Sequence, residues 1–436
     1  MFGIPELDEL VFQQLNRQEL ARCMRVNKKW HEAAVPFLWS DLTYLEQLPR
    51  KQRQAFGKLV LEDYLQAQQH RKLKEEGQDM GHPTSPISNL AKYGRCIRLL
   101  KAKGLITLLE SNNRLQQAQE ERPTCYELFL HFLDYCPKAQ VSSLHYGYLE
   151  YVSPNLLPMV VERVLPRVLD LEIRAAMKVR QLMELLDRCS SNLMSLEIDV
   201  ELEDSKNEMD DQQEEEIPAS KGWTSLTHLK LGEWGDHPGY TMLRRWLLRR
   251  CNCVQKIEVC KASIISPRFV KDALTYMPNL KEVVIKGALR GNNAAAILSA
   301  SRHGWRSVTI EYRSLDKAAK MSLARHFSTL EMLDVSLCGG FTGDELVQVL
   351  SSCPHLRTLN DHVADETPIH ASTLIDQDPS TGLLKAWACE TSLKVLQTKI
   401  TGIPRPDLKM IGLLDTFLVE EAYEGQGREM QGLVYD

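Results

Sequence analysis

The stretch from Leu330 to Leu359 shows the pattern of apolar and polar positions that recurs along the chain. Leu330, Leu333 and Val335 place their side chains on one face of a short strand. Gly339 and Gly340 permit a tight turn after it. Thr342 stands three residues before Glu345, a capping-box spacing that starts a helix. Leu346, Val347, Val349 and Leu350 give that helix an apolar face. Cys353-Pro354 ends it, and Leu356 and Leu359 open the next strand, 26 residues on from Leu330. The same ruler places strand starts at Val141, Val168, Leu193, Leu226, Val254, Leu280, Trp305, Leu330, Leu356 and Leu393. Helices between them end at Cys136-Pro137, Leu165-Pro166, Cys189, Cys251, Met277-Pro278 and Cys353-Pro354. A first strand is predicted around Ile97, Leu99 and Leu100, and a helix over Leu105–Gln119.

Two of the intervals are long, and both read as loops. The first holds ELEDSKNEMDDQQEEEIPASKG, an acidic insert over about 201–220 that has too few apolar residues to repay its ordering entropy. The second, His362–Thr381, holds Pro368, Pro379 and several aspartates. Ahead of the periodic region, residues 4–42 read as three short helices. Ile4-Pro5 opens the first, since proline is tolerated in the first turn, and Leu7, Leu10, Val11 and Leu15 form its apolar stripe. Asn16 caps the second, with Leu20, Cys23 and Met24. Val26 and Trp30, four apart, share a face of the third. Phe37, Leu38 and Trp39 close the unit. Residues 46–90 read as a partly helical linker, with a helix from Leu59 to Leu73 and a flexible part from Gly77 to Ser88. Beyond Ile400 a Gly-Ile-Pro-Arg-Pro break precedes a segment, 402–436, with a helix over Asp407–Glu421 as a candidate cap.

A strand, turn, helix and return at this period is a leucine-rich repeat. Cys338, Thr342-Gly343-Asp344 and Cys353-Pro354 resemble the cysteine-containing, fungal-type leucine-rich repeats of F-box proteins. The N-terminal segment resembles the F-box itself: Ile4-Pro5, Leu10-Val11, Leu15, Leu20, Val26-Asn27-Lys28-Lys29-Trp30 and Leu38-Trp39 follow the family pattern. Ile4 replaces the family's leucine, and Asn27 stands where many members carry cysteine. The expected architecture is α/β: a three-helix F-box over 1–45, the linker, then a solenoid over 91–401 with parallel strands concave and helices convex. The resemblance implies the non-catalytic substrate receptor of an SCF-type cullin-RING ubiquitin ligase. Ile4, Pro5, Leu10, Val11, Leu15, Leu20, Val26 and Trp30 would then meet the Skp adaptor, and the repeats would hold a protein target, in the cytoplasm or nucleus. The alternative is an interaction scaffold whose N-terminal helices serve only as a solenoid cap.

Composition narrows this picture. At 436 residues the chain can bury a large core, and 43% hydrophobic with 25% charged residues is ordinary for a soluble protein. A net charge of −5 argues against a nucleic-acid partner, which calls for a basic face. The start, MFGIPELDEL, has no basic n-region, so no secretory signal is expected there. No apolar run approaches the roughly 20 residues of a membrane span. The eleven cysteines include no C-x-x-C pair; reduced, buried thiols are the simplest reading.

Glu172, Glu197, Lys230, Glu258, Thr309 and Asp334 share the central outward register of successive strands, with Asp170 and Asp199 nearby. Paired carboxylates serve acid–base catalysis, but Arg174 beside Asp199 and Lys230 beside Glu197 are expected to neutralise them. A solvated face is the plainer reading and a target surface (Asp170, Glu172, Glu197, Lys230 and Glu258) the sharper one. Arg244, Arg245, Arg249 and Arg250 are expected to point outward from a helix whose Leu243, Trp246 and Leu247 face the sheet. Cys251, Cys253 and Cys260 flank different elements, which does not suit zinc. Gly339, Gly340 and Gly343 lack the Gly-Lys-Ser/Thr of a phosphate loop. No cofactor is implied. Limited proteolysis is expected to cut first within the acidic insert, and its deletion to leave the melting temperature nearly unchanged; a loss of several degrees would show the insert to be packed.

Overall fold

The structure, a computed structural model, describes residues 5–76, 89–115, 123–145, 156–202, 222–232, 238–260, 273, 275–286, 293–299, 301, 303–311, 315–335, 338, 341–361, 369–370, 387–389, 391–397 and 400–401. The turn glycines Gly339 and Gly340, most of the acidic insert, the flexible part of the expected linker and the segment 402–436 lie outside them. The chain divides into two compact units, 1–175 with 180–196 and 176–179 with 197–436.

The first unit begins with helices α1 (Pro5–Gln14), α2 (Arg17–Cys23) and α3 (Lys28–Ser40). The chain leaving α3 goes directly into strand pairing. Asp41 bridges in parallel to Leu99 of β1 (Leu99–Leu100), and the Leu42 amide donates to the Leu99 carbonyl at 2.8 Å. β1 pairs in turn with β2 (Gln140–Val141), also in parallel. Further on, β3 (Leu144–His145) pairs with β4 (Asp170–Met177).

Residues 46–90, expected to form a partly helical linker, carry a packed 26-residue helix, α4 (Arg50–Glu75), which starts nine residues before the predicted one. Phe56, Val60, Asp63 and Tyr64 recur at helical spacing on one face. Val60 is fully buried, and the Phe56 ring meets Phe132 edge-on at 5.7 Å. Asp63 Oδ2 lies 2.8 Å from His131 Nε2, with both side chains largely buried. Phe132 and His131 belong to α7 (Cys125–Asp134), whose N-terminus is closed by a Thr124/Glu127 capping box. Apart from Asp63, the charged residues of α4 lie mainly on its solvated face. Between these helices run α5 (Asn89–Gly94) and α6 (Ala102–Leu115). Trp39 at the end of α3 stacks on Tyr93 at 5.1 Å and lies 6.5 Å from Phe56. The N-terminal helices are therefore continuous with the rest of this unit rather than tethered to it.

In the second unit a parallel sheet follows chain order: the Glu197–Leu202 part of β5 (Ser195–Leu202), then β6 (His228–Leu231), β7 (Lys256–Cys260), β8 (Glu282–Lys286), β9 (Ser307–Glu311), β10 (Met332–Asp334), β11 (Thr358–Asn360) and β13 (Val395–Gln397). Helices Pro238–Leu248, Asn293–Leu298, Lys317–Ala324 and Gly343–Ser352 alternate with the strands, as parallel connections require. The last carries the expected Thr342/Glu345 capping box. A separate pair joins β12 (Ile369–His370) to β14 (Ile400–Thr401), so part of the expected 362–381 loop is strand. β5 also continues through Glu201 and Leu202, which shortens the acidic insert at its N-terminal end.

The regular strands start two residues after the apolar residues that mark the repeat: Leu226 before His228, Val254 before Lys256, Leu280 before Glu282, Leu330 before Met332. Those marker residues are buried pegs ahead of the ladder, at 0% exposure for Leu226, Val254, Leu330 and Leu356. Immediately after each peg the pairing has a fixed form, in which one carbonyl accepts two successive amides of the next strand. Gln255 O accepts from Lys281 (2.8 Å) and Glu282 (2.9 Å), Arg306 O from Glu331 (2.8 Å) and Met332 (3.1 Å), and Glu331 O from Arg357 (2.7 Å) and Thr358 (3.1 Å). Within the strands Leu229, Val283, Ile285, Val308, Leu333 and Leu359 are buried on the opposite face from the charged positions.

Because Trp39 touches both α4 and α5, Trp39→Ala is expected to destabilise the first unit by about 3 kcal/mol, the lower end for a core aromatic. Amide exchange should quicken in both α3 and β1. Faster exchange confined to α3 would show the N-terminal helices to be independent.

Candidate functional site

The N-terminal helices are set by two asparagine caps. Asn16 Oδ1 accepts from the amides of Gln18 (3.0 Å) and Glu19 (3.1 Å), while Glu19 Oε2 accepts the Asn16 amide at 2.8 Å. Asn27, in an extended conformation, accepts the Trp30 amide at 2.9 Å and so starts α3 at Lys28. Val26 consequently lies before the helix and does not share a helical face with Trp30, contrary to expectation. Arg17 lays its guanidinium 2.9 Å from the centre of the Tyr44 ring and donates to the Asp41 carbonyl at 2.5 Å. Burial raises the Tyr44 pKa, which Arg17 partly offsets.

Phe12, Leu20 and Ala34 form the core of this small unit, with Leu15, Trp30, Phe37 and Leu38 packed against it. Trp30 meets Phe12 edge-on at 5.9 Å, and Phe37 stacks on Phe12 at 5.8 Å. Phe12 was not part of the expected apolar stripe. A helix turns about 100° per residue, so Leu10 lies about 200° from Phe12 and faces away. Leu10 is 55% exposed, Val11 41% and Val26 60%. The eight residues expected at the adaptor surface therefore divide. Leu20 is buried, Leu15 and Trp30 are half-buried against the core, and Leu10, Val11 and Val26 present apolar surface to solvent. Pro5 begins α1, and Ile4 lies outside the described residues.

Residues 5–44 match the F-box-like family model. They form an F-box-like domain at the N-terminus of a much longer chain. No curated protein matches the chain. F-box domains in general bind Skp adaptors.

The outward strand positions were the other candidate site. In the first unit Glu172 is held by His145 (2.6 Å) and Arg174 (2.5 Å). Arg174 thus pairs with a residue of its own strand. Asp170 is exposed, and what burial it has raises its pKa. In the second unit Lys230 lies 3.1 Å from Glu197 and 3.8 Å from Glu258, and Lys286 lies 3.5 Å from both Glu258 and Glu311. The register sets Lys230, Glu258, Val284, Thr309 and Asp334 side by side across five strands, as the shared spacing predicts. Lys286, two positions along from Val284, was missed, although the alternation Glu-Val-Val-Ile-Lys puts it on the same face. Burial alone would lower the Lys230 pKa, but the Glu197 hydrogen bond and the charges of Glu197 and Glu258 raise it. The ladder is a set of mutually compensated charges, and the Cys260 thiol beside it donates to Glu258 at 3.7 Å, with burial and the Glu258 charge raising its pKa.

Of the expected outward arginines, Arg250 is 5% exposed. Its guanidinium lies 3.7 Å from the centre of the Trp246 ring, and it donates to the Trp246 carbonyl at 3.3 Å. Arginine can be buried this way because an aromatic face and a carbonyl together replace its water. All eleven cysteines are free thiols, and burial pushes those of Cys136 and Cys353 up to about 12.

Burial and the neighbouring Lys256 lower the His228 pKa, and burial lowers that of His326, which bonds the Leu298 carbonyl. Unfolded histidine titrates at about 6.5. Below that pH the unfolded chain binds protons that the folded chain does not, so stability is full above about 6.5 and is lost as pH falls towards the folded values. Urea titrations at falling pH should show this loss, and His228→Gln with His326→Gln should flatten it. An unchanged slope in the double variant would assign the loss to other groups.

Proposed function

We propose that this protein is a substrate-recognition subunit of an SCF-type cullin-RING ubiquitin ligase, and that the strand–helix units form a leucine-rich-repeat solenoid. The F-box-like domain docks on the Skp adaptor through Leu10, Val11 and Val26, with Trp30 and Leu20 holding the helices that present them. The outward face of the strands holds the target protein, through Asp170 and Glu172 in the first unit and through Glu197, Lys230 and Glu258 in the second. The chain performs no chemistry itself. It raises the local concentration of the target near the charged ubiquitin carrier.

The observation that carries this reading is the division within the F-box-like domain. Its own core is closed by Phe12, Leu20 and Ala34, yet Leu10, Val11 and Val26 remain exposed. Aliphatic groups that a small domain leaves in water find their use in a partner. A scaffold whose N-terminal helices serve only as a cap is the second reading, and the Asp41–Leu99 bridge favours it.

A pull-down with purified Skp adaptor separates the two. Wild type is expected to form the complex at micromolar concentration. Leu10→Glu with Val26→Glu should abolish it while shifting stability by no more than about 0.5 kcal/mol, as exposed sites do. Trp30→Ala should weaken binding and destabilise the first unit together. A folded wild type that captures no adaptor would leave the scaffold reading in place.

A further inference from the structure

Just ahead of the strands of the second unit, the backbone lines up one residue per repeat. Lys281, Arg306, Glu331, Arg357 and Lys394 are consecutive members of this column, each donating its amide to the carbonyl of the one before at 2.7–2.8 Å. The four basic side chains are all exposed, and Glu331 is half-buried between two of them. Neighbouring strands are about 4.8 Å apart, so the column runs about 19 Å. Glu331 is the counter-charge printed into the column itself, with Arg306 at 2.7 Å and Arg357 at 3.8 Å. The Arg306 hydrogen bond holds the Glu331 carboxyl below the usual range, so it stays ionised and the column keeps a net positive charge. On a chain with a net charge of −5, such a line of like charges is an unusual concentration.

We propose that this column is an interaction surface for an acidic, extended protein segment, rich in aspartate and glutamate. The rigid backbone fixes the spacing of the cations, so the peptide meets a preformed row rather than a set of independent side chains. The row is one residue wide, is interrupted by Glu331, and is bordered on β8 by Glu282, whose register partners are Lys256 and Ser307. A nucleic acid, which needs neutralisation over a continuous run of phosphates, fits this pattern poorly, whereas a flexible segment can set its carboxylates on the basic side chains either side of Glu331 and pass the fixed acids with neutral residues. The surface is distinct from the outward strand face assigned above to the target, and it does not depend on adaptor binding.

The test is fluorescence anisotropy with the full chain and three labelled probes: a Glu/Asp-rich dodecapeptide, the same peptide with Gln and Asn, and a single-stranded oligonucleotide of equal charge. The acidic peptide should bind at low salt and weaken at least tenfold when salt is raised through the Debye range, while the neutral peptide should not bind. Lys281→Glu with Lys394→Glu, at positions exposed in the fold, should weaken the acidic peptide at least tenfold with an unchanged melting temperature. Glu331→Gln should instead tighten it severalfold by releasing Arg306 and Arg357. Equal binding of acidic and neutral peptides, a double variant that binds like wild type, or an oligonucleotide bound more tightly than the acidic peptide would each overturn the proposal. So would a Glu331→Gln variant that binds more weakly while remaining folded.

Discussion

The doubly accepting carbonyl ahead of each strand is the interaction on which the second unit depends. A buried peg such as Leu280 or Leu330 anchors the chain, and the next carbonyl takes two amides from the following repeat. That arrangement leaves each strand a single register, because slipping by one residue would turn its buried side chains to water. Everything carried on the sheet inherits the register. The Lys230–Glu258 pairing, the sharing of Lys286 between Glu258 and Glu311, and the line of basic residues at the strand starts all follow from it.

The same rule joins the F-box-like domain to the rest of the first unit. Asp41 takes the place that a strand residue takes elsewhere, bridging to Leu99. Trp39 then locks the end of α3 against Tyr93 and Phe56, and the buried Asp63–His131 pair fastens α4 to α7. A buried pair of this kind gains little net stability over apolar packing, but it disfavours every arrangement that leaves one partner alone. A receptor built this way would present its adaptor-binding helices in a defined orientation to the strands of that unit, which suits a mechanism based on proximity.

The charges on the outward face of the second unit are tied to one another across neighbouring strands. Lys230 and Lys286 each serve two carboxylates, and Glu258, at 9% exposure, lies between them. A target docking there must break or extend these pairs, so the face rewards charge complementarity more than apolar contact.

By itself the sequence determined the repeat period, the parallel α/β class, the Asn16 and Thr342 caps and the shared register of Lys230, Glu258, Thr309 and Asp334. These are local properties, set by the two-residue period of a strand, the 3.6-residue turn of a helix and the reach of a short polar side chain. The tertiary structure decided the rest. It turned Phe12 inward and Leu10 outward, because which side of α1 is buried depends on where α2 and α3 lie. It made Asn27 the cap that leaves Val26 outside α3, packed α4 against α7 where a charged linker was expected, and buried Arg250 on Trp246. It also brought His145 to Glu172, and Lys281, Arg306, Arg357 and Lys394 into one line. The buried face of α1, the packing of α4, the His145–Glu172 pair and the basic line depend on residues far apart in the chain, and a one-dimensional pattern holds no record of which distant side chain will arrive to fill a face or pair a charge. The Asn27 cap and the Arg250–Trp246 contact span only three and four residues, and there the pattern offers several local contacts without saying which one the fold keeps.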